Sequence, residues 1–172
     1  MIEELRARLR SIPDFPKPGI LFHDITPILG DGLHFRQAVE LMAAPFVDKQ
    51  VALIAAVEAR GFILGGPVAL ALGCGFVPLR KPGKLPWERV RHEYALEYGT
   101  DAIEAHRDAI PAGARVLVVD DVLATGGTAA AAGDLVRRLG GEVVGWSFLL
   151  GIDALDGARR LAGAPSHIVL RV

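Results

Sequence analysis

Apolar positions along the chain fall into alternating helical and strand-like stretches. Residues 2–9 carry them at helical spacing, and Ser11, Ile12 and Pro13 end that run, because proline lacks an amide donor and restricts the residue before it. A loop with Pro13, Pro16, Pro18 and Gly19 follows. Across 34–47, Phe35, Ala38, Val39, Leu41, Met42 and Phe46 recur at helical intervals, with Pro45 ending or bending that helix. Residues 51–57 are a short continuous apolar run, the pattern of a strand buried on both faces, and they lead into Glu58, Ala59, Arg60 and Gly61. Residues 62–72 then read as a buried helix closed by Gly73.

The second half repeats this alternation. Residues 76–79 form the next strand, and 80–99 are conspicuously polar, a segment suited to a mobile lid. Tyr94, Leu96 and Tyr98 alternate, which also fits an edge strand packed on one face. Residues 103–110 suggest a short helix and Pro111, Ala112 and Gly113 a turn. A β-branched strand over 115–119 then runs straight into Asp120 and Asp121. A helix over 128–139, a strand over 143–150, a helix over 153–162 and a strand over 168–172 complete the chain. Strands alternating with helices predict an α/β domain with a mostly parallel central sheet flanked by helices.

At 172 residues the chain suits one such domain, and no repeat or low-complexity tract divides it. The formal net charge of -1 supplies no basic field for nucleic acid. Apolar runs are broken by glycine, proline or charge well before the roughly 18 residues of a membrane span. The lone Cys74 has no internal disulfide partner, and the opening residues are charged where a signal peptide would be apolar, so a cytoplasmic location is expected.

The chemistry concentrates in residues 116–128, a buried strand followed by two acids, a small-residue loop and a helix start. Ligands of open α/β sheets sit beyond the carboxyl ends of strands, and amides at a helix N-terminus bind phosphate. Thr125, Gly126, Gly127 and Thr128 would form that cradle, the glycines letting the backbone approach the phosphate. Asp120 and Asp121 would hold sugar hydroxyls or a Mg²⁺-bound water. A phosphorylated sugar is the ligand this pattern suggests. The chain has neither of the usual glycine-rich phosphate loops of nucleotide hydrolases and dinucleotide enzymes. Its five histidines lack the spacing of a zinc site.

This stretch, with Ala124-Thr125-Gly126-Gly127-Thr128 at its end, resembles the phosphoribosyl-diphosphate signature of the type I phosphoribosyltransferases. The resemblance covers nearly the whole chain. It is closest to the members that take adenine, through residues 15–19, 22–27, 58–62, 80–86 and 94–99. It implies a single type I phosphoribosyltransferase domain over 1–172, with a small hood from about residues 1–30 plus late-chain contributions and a flexible lid over about 81–98. It implies transfer of the phosphoribosyl group to adenine, giving AMP and diphosphate, with Mg²⁺ entering on the substrate, and a homodimer as the assembly.

Residue by residue, the resemblance assigns Ala59, Arg60, Gly61, Arg80 and Lys84 to the diphosphate, often through a cis peptide in the 58–61 loop. It assigns Asp120, Asp121, Ala124, Thr125, Gly126, Gly127 and Thr128 to the ribose phosphate, and Leu21, Phe22 and His23 to the base. Arg60 and Glu97 become the catalytic residues, and Tyr98 closes with the lid. The chain departs from the family at His23, where arginine or lysine is common, and at Gly151, where glutamate is common. Both departures point toward base recognition and keep a transferase for another purine open. A non-catalytic regulator that binds phosphoribosyl diphosphate is the alternative of another class.

Overall fold

The computed structural model describes residues 1–96 and 99–172. Helix α1 (Ile2–Arg8) leads into a hairpin of β1 (Arg10–Pro13) antiparallel to β2 (Leu21–Asp24). The intervening loop, read from its prolines, contains a cis Phe15–Pro16 bond, and Asp14 Oδ1 accepts from the Gly19 amide at 2.8 Å. A short helix α2 (Thr26–Leu29) precedes α3 (Gly32–Ala43), which Asp31 caps by accepting from the amides of Leu33 and His34. Pro45 then turns the chain into a 3-10 turn, Ala44–Phe46.

Strand β3 (Leu53–Val57), helix α4 (Arg60–Leu72) and strand β4 (Gly75–Leu79) follow, with Gly73 in the left-handed region at the end of α4. A second hairpin pairs β5 (Arg89–Leu96) with β6 (Gly99–His106). Strand β7 (Arg115–Leu123), helix α5 (Gly127–Arg138), β8 (Glu142–Gly151) and β9 (Ser166–Arg171) complete the domain. The central sheet has the order β4-β3-β7-β8-β9, and all its pairings are parallel.

Both faces of this sheet are covered, which is why its strands read as continuous apolar runs. On β3, Ile54 and Ala56 face the side packed by α1, α3 and α4, while Ala55 and Val57 face the side packed by α5 and β6. Leu117 and Val119 alternate with Val116 and Val118 on β7 in the same way. Each fully buried aliphatic side chain contributes about 1.5–3 kcal/mol, so the central strands anchor the positions of the loops at their ends.

Two expectations are corrected. Residues 103–110 are not helical: 103–106 belong to β6 and the rest is turn. Ile103 and Ala105 point into the core, and Glu104 between them is buried because Arg89 Nε lies 3.2 Å from Oε2 and the Gly83 amide donates to it at 3.1 Å. Cross-strand pairing outweighs local helical spacing there. Residues 153–162 form two 3-10 turns, Asp153–Leu155 and Gly157–Arg160, interrupted by Asp156 in the left-handed region. The polar stretch 80–99 is not wholly irregular either. Val90, His92 and Tyr94 turn inward between exposed Arg89, Arg91 and Glu93, as in an edge strand.

Candidate functional site

The carboxyl ends of β3 and β7 open into one cleft of 660 Å³. Val116 to Val119 are buried, and the next two positions place Asp120 and Asp121 at the cleft floor. Asp120 Oδ1 accepts from the Asp121 amide at 2.9 Å. Removal from water, and then the neighbouring Asp121 charge, push the Asp120 carboxyl well above its ordinary range, with Arg60 opposing. Asp120 keeps some exposure through the cleft mouth, while protein packed around it displaces most of the surrounding water. Asp121 is buried, and Arg60 Nε lies 2.5 Å from its Oδ2. That contact is an ion pair out of line for a hydrogen bond, so Oδ2 has no hydrogen-bond partner among the described residues.

Beyond the acids, Ala124, Thr125, Gly126, Gly127 and Thr128 line the cleft and enter α5. Gly126 is the N-cap at φ +80°, with no side chain capping the helix, and the Ala130 amide makes the first bond back to the Gly126 carbonyl. The amides ahead of Ala130 therefore start the helix with its dipole aimed at the cleft, an arrangement that favours an anion. The 3-10 turn at Gly157 braces this loop from behind: a methyl on Gly157 would stand 2.2 Å from the Ala124 carbonyl oxygen.

The opposite corner begins at the cis Glu58–Ala59 peptide. Ala59 and Arg60 line the cleft, whereas Gly61 is buried in the first turn of α4, where a methyl would lie 2.7 Å from Asp120 Oδ1. Arg80 and Lys84 do not line the cleft. Lys84 Nζ donates to Glu58 Oε2 at 2.8 Å, and Arg80 Nε lies 3.5 Å from Oε1. Glu58 also accepts from the Lys81 amide at 2.6 Å. Burial raises the Glu58 pKa, but Lys84, the Lys81 amide and Arg80 outweigh it and hold the carboxyl below its ordinary value.

Lys81 lines the cleft together with Arg60, and the sequence reading placed it only within the polar stretch. Its Nζ pairs with Asp101 Oδ2 and lies 3.5 Å from the Tyr94 hydroxyl. Glu58 and Tyr94 carry no site role in the sequence reading, which names them only in the 58–61 loop and in the alternation of 94–98, and Asp101 is not singled out there. Alternation along 90–94 is the signal that turns Tyr94 inward, but its facing partner Asp101 emerges only from strand pairing.

Leu21, Phe22 and His23 line the remaining wall from β2. The Phe22 ring meets Phe15 edge-on with centroids 5.2 Å apart, and the Arg60 guanidinium carbon lies 5.7 Å from the Phe22 centroid. His23 Nδ1 is 3.5 Å from Ser11 Oγ. Gly151, expected to bear on the base, does not line the cleft: a methyl there would meet Ile168 Cγ2 at 2.9 Å, while Leu150 and Ile152 on either side reach the cleft wall. Glu97 and Tyr98 lie outside the described residues.

Among the described residues, no three or more His, Cys, Asp or Glu side chains gather as a metal cage. Asp120 and Asp121 stand beside the amides that open α5, and Asp121 Oδ2 meets the Arg60 charge without a hydrogen bond.

Residues 31–161 match the family model described as phosphoribosyl transferase domain. An adenine phosphoribosyltransferase of Myxococcus xanthus is 60% identical over 161 residues, covering 94% of this chain and 88% of the relative. The crystal structure of adenine phosphoribosyltransferase from Rhodothermus marinus superposes with a TM-score of 0.94 at 52% identity, over 99% of this chain and 98% of that one. The Saccharomyces cerevisiae adenine phosphoribosyltransferase, solved with adenine and an imino-altritol bisphosphate, gives a TM-score of 0.92 at 41% identity over 98% and 97% of the two chains.

Proposed function

The chain belongs to the adenine phosphoribosyltransferases of the phosphoribosyl transferase domain family, and from that premise we propose that it transfers the phosphoribosyl group of 5-phosphoribosyl diphosphate to adenine, releasing AMP and diphosphate. The observation that carries this reading is one cleft with three chemically distinct walls: an amide cradle at α5, a cationic corner at Arg60 and Lys81, and an apolar and aromatic wall at Leu21 and Phe22.

In this reading the amides and hydroxyls from Thr125 to Thr128 anchor the 5′-phosphate, and Asp120 and Asp121 orient the ribose hydroxyls. Purine N9 forms the new bond to the anomeric carbon as the bond to the diphosphate oxygen breaks, and positive charge builds on the sugar. Arg60 and Lys81 face the departing diphosphate, whose growing negative charge they stabilise. Mg²⁺ carried on the diphosphate would neutralise part of the same charge. Asp120 or Asp121 would meet that ion through water. Arg80 and Lys84 reach the leaving group only on exchanging Glu58 for it. Glu97 is assigned the N9 proton by resemblance.

Base choice is assigned to the main chain at Leu21 and His23. A carbonyl and an amide fixed there match the amino donor and N1 acceptor of adenine, and a 6-oxopurine would leave both unpaired. The adenine in the yeast relative supports adenine as the base, without bearing on which groups read it.

Two further readings concern context. A homodimer is supported by Ile63 and Leu70, two exposed apolar side chains two turns apart on one face of α4. Light scattering at the mass of two chains tests it. A cytoplasmic site of action is supported by the substrate, a polyanion that does not cross a bilayer unaided.

The test of function is direct: purified protein with adenine, phosphoribosyl diphosphate and Mg²⁺ should form AMP and diphosphate in equal amounts. A protein that binds phosphoribosyl diphosphate yet forms no AMP would overturn the reading.

A further inference from the structure

Tyr94 lies outside the lining of the cleft, yet its hydroxyl touches two residues of that lining. On the β5–β6 hairpin it stands opposite Asp101 and donates to Asp101 Oδ2 at 3.1 Å. The Tyr94 hydroxyl oxygen also lies 3.2 Å from Thr128 Oγ1, at the first turn of α5, and 3.5 Å from Lys81 Nζ. Thr128 and Lys81 both line the cleft, from the start of α5 and from the stretch after β4, and the Lys81 amide is itself tied to Glu58 beside the cis peptide. One phenol oxygen therefore joins the cradle at α5 to the cationic corner.

We propose that Tyr94 is a positioning residue that couples the 5′-phosphate subsite to the diphosphate subsite, through Thr128 on one side and Lys81 on the other. The inference rests on the phosphoribosyl-transfer reading above.

Donor counting explains why a phenol suits this place. A hydroxyl donates once and accepts twice, an ammonium only donates, and an ionised carboxylate only accepts. With no phosphate at α5, Tyr94 gives its proton to Asp101 and accepts from Thr128 and Lys81. When a phosphate occupies the cradle, Thr128 turns its single proton to the phosphate, and Tyr94 turns its own to Thr128 Oγ1. Asp101 remains satisfied by Lys81 and by the Ala102 amide, which donates to Oδ1 at 2.8 Å. Lys81 stays held at its corner throughout. Filling the cradle thus leaves the lysine in place for the diphosphate, and no polar group is stranded.

Tyr94→Phe removes the hydroxyl and keeps the ring, which packs against the core beneath the sheet. The variant is compared with wild type for kcat, for KM toward each substrate, and for inhibition by ribose 5-phosphate and by inorganic diphosphate separately. The expected result is a rise of about three- to tenfold in KM for phosphoribosyl diphosphate and in both inhibition constants, the scale of one lost hydrogen bond. KM for adenine should stay unchanged. In a Thr128→Val background, adding Tyr94→Phe should weaken ribose 5-phosphate by less than it does alone, a non-additivity that a packing role would not produce.

The inference is overturned if either inhibition constant is unmoved, if KM for adenine rises in parallel, or if the two substitutions are additive. Wild-type protein that forms no AMP would sink the transfer reading itself. Wild type that forms AMP beside an unaltered Tyr94→Phe would sink only the role of Tyr94.

Discussion

Gly126 and Gly157 are packed so closely that a methyl on Gly126 would stand 2.3 Å from the Gly157 carbonyl oxygen, and one on Gly157 would stand 2.8 Å from the Gly126 amide nitrogen. The turn at Gly157 is thus the back wall of the loop from Ala124 to Gly126 that opens α5. Gly157→Ala should push the loop toward the cleft. We expect KM for phosphoribosyl diphosphate to rise by at least about tenfold, with a loss of about 1–3 kcal/mol in denaturant unfolding. A variant with unchanged KM and midpoint would show that the loop relaxes freely.

Arg60 serves two neighbours, the Asp121 carboxylate and the diphosphate assigned to that corner. Arg60→Gln should leave Asp121 without its counter-charge and the leaving group without one cation. Steady-state kinetics should show kcat/KM for phosphoribosyl diphosphate falling about 100-fold or more, the scale of losing one preorganised charge at a reacting centre. Inhibition by inorganic diphosphate should weaken in step.

Glu58 gives a pH signature. Its carboxyl titrates below the ordinary value of 4.5 because Lys84, the Lys81 amide and Arg80 outweigh the effect of burial. A carboxyl with a depressed pKa stabilises the fold fully above its unfolded value, and that stabilisation is lost as pH falls through the folded value. Thermal midpoints of wild type should therefore drop on acidification below about pH 4.5, while Glu58→Gln, less stable at neutral pH, should show a flatter acid limb. Parallel acid limbs would place the cause elsewhere.

Chelation separates the two phosphate subsites. If Mg²⁺ enters on the diphosphate as proposed, EDTA should stop AMP formation. Ribose 5-phosphate should still bind with its affinity largely kept, because the cradle at Thr125 to Thr128 is built from amides and hydroxyls. Calorimetry with ribose 5-phosphate in EDTA checks this directly.

How much of this was legible in the sequence depended on how local each feature is. The β7 strand, its two acids and the start of α5 are contiguous, so residues 116–128 announce their structure and their place on the cleft. The parallel sheet was legible because strands buried on both faces leave unbroken apolar runs. Residues 103–106 were misread because burial of Glu104 depends on Arg89 and the Gly83 amide, partners that only folding brings near. The link from Lys81 through Tyr94 to Thr128 joins three separate stretches and leaves no motif. The family's common glutamate at position 151 points toward the base, but strand alternation turns the Cβ direction of Gly151 onto Ile168.

The most direct test of the central claim is a competition. Purified protein is given phosphoribosyl diphosphate, Mg²⁺ and equal concentrations of adenine, hypoxanthine, guanine and xanthine, and the nucleotides formed are separated by chromatography. AMP as the only product is the expected result. A mixture dominated by IMP, GMP or XMP would contradict the assignment of adenine to the wall formed by Leu21, Phe22 and His23.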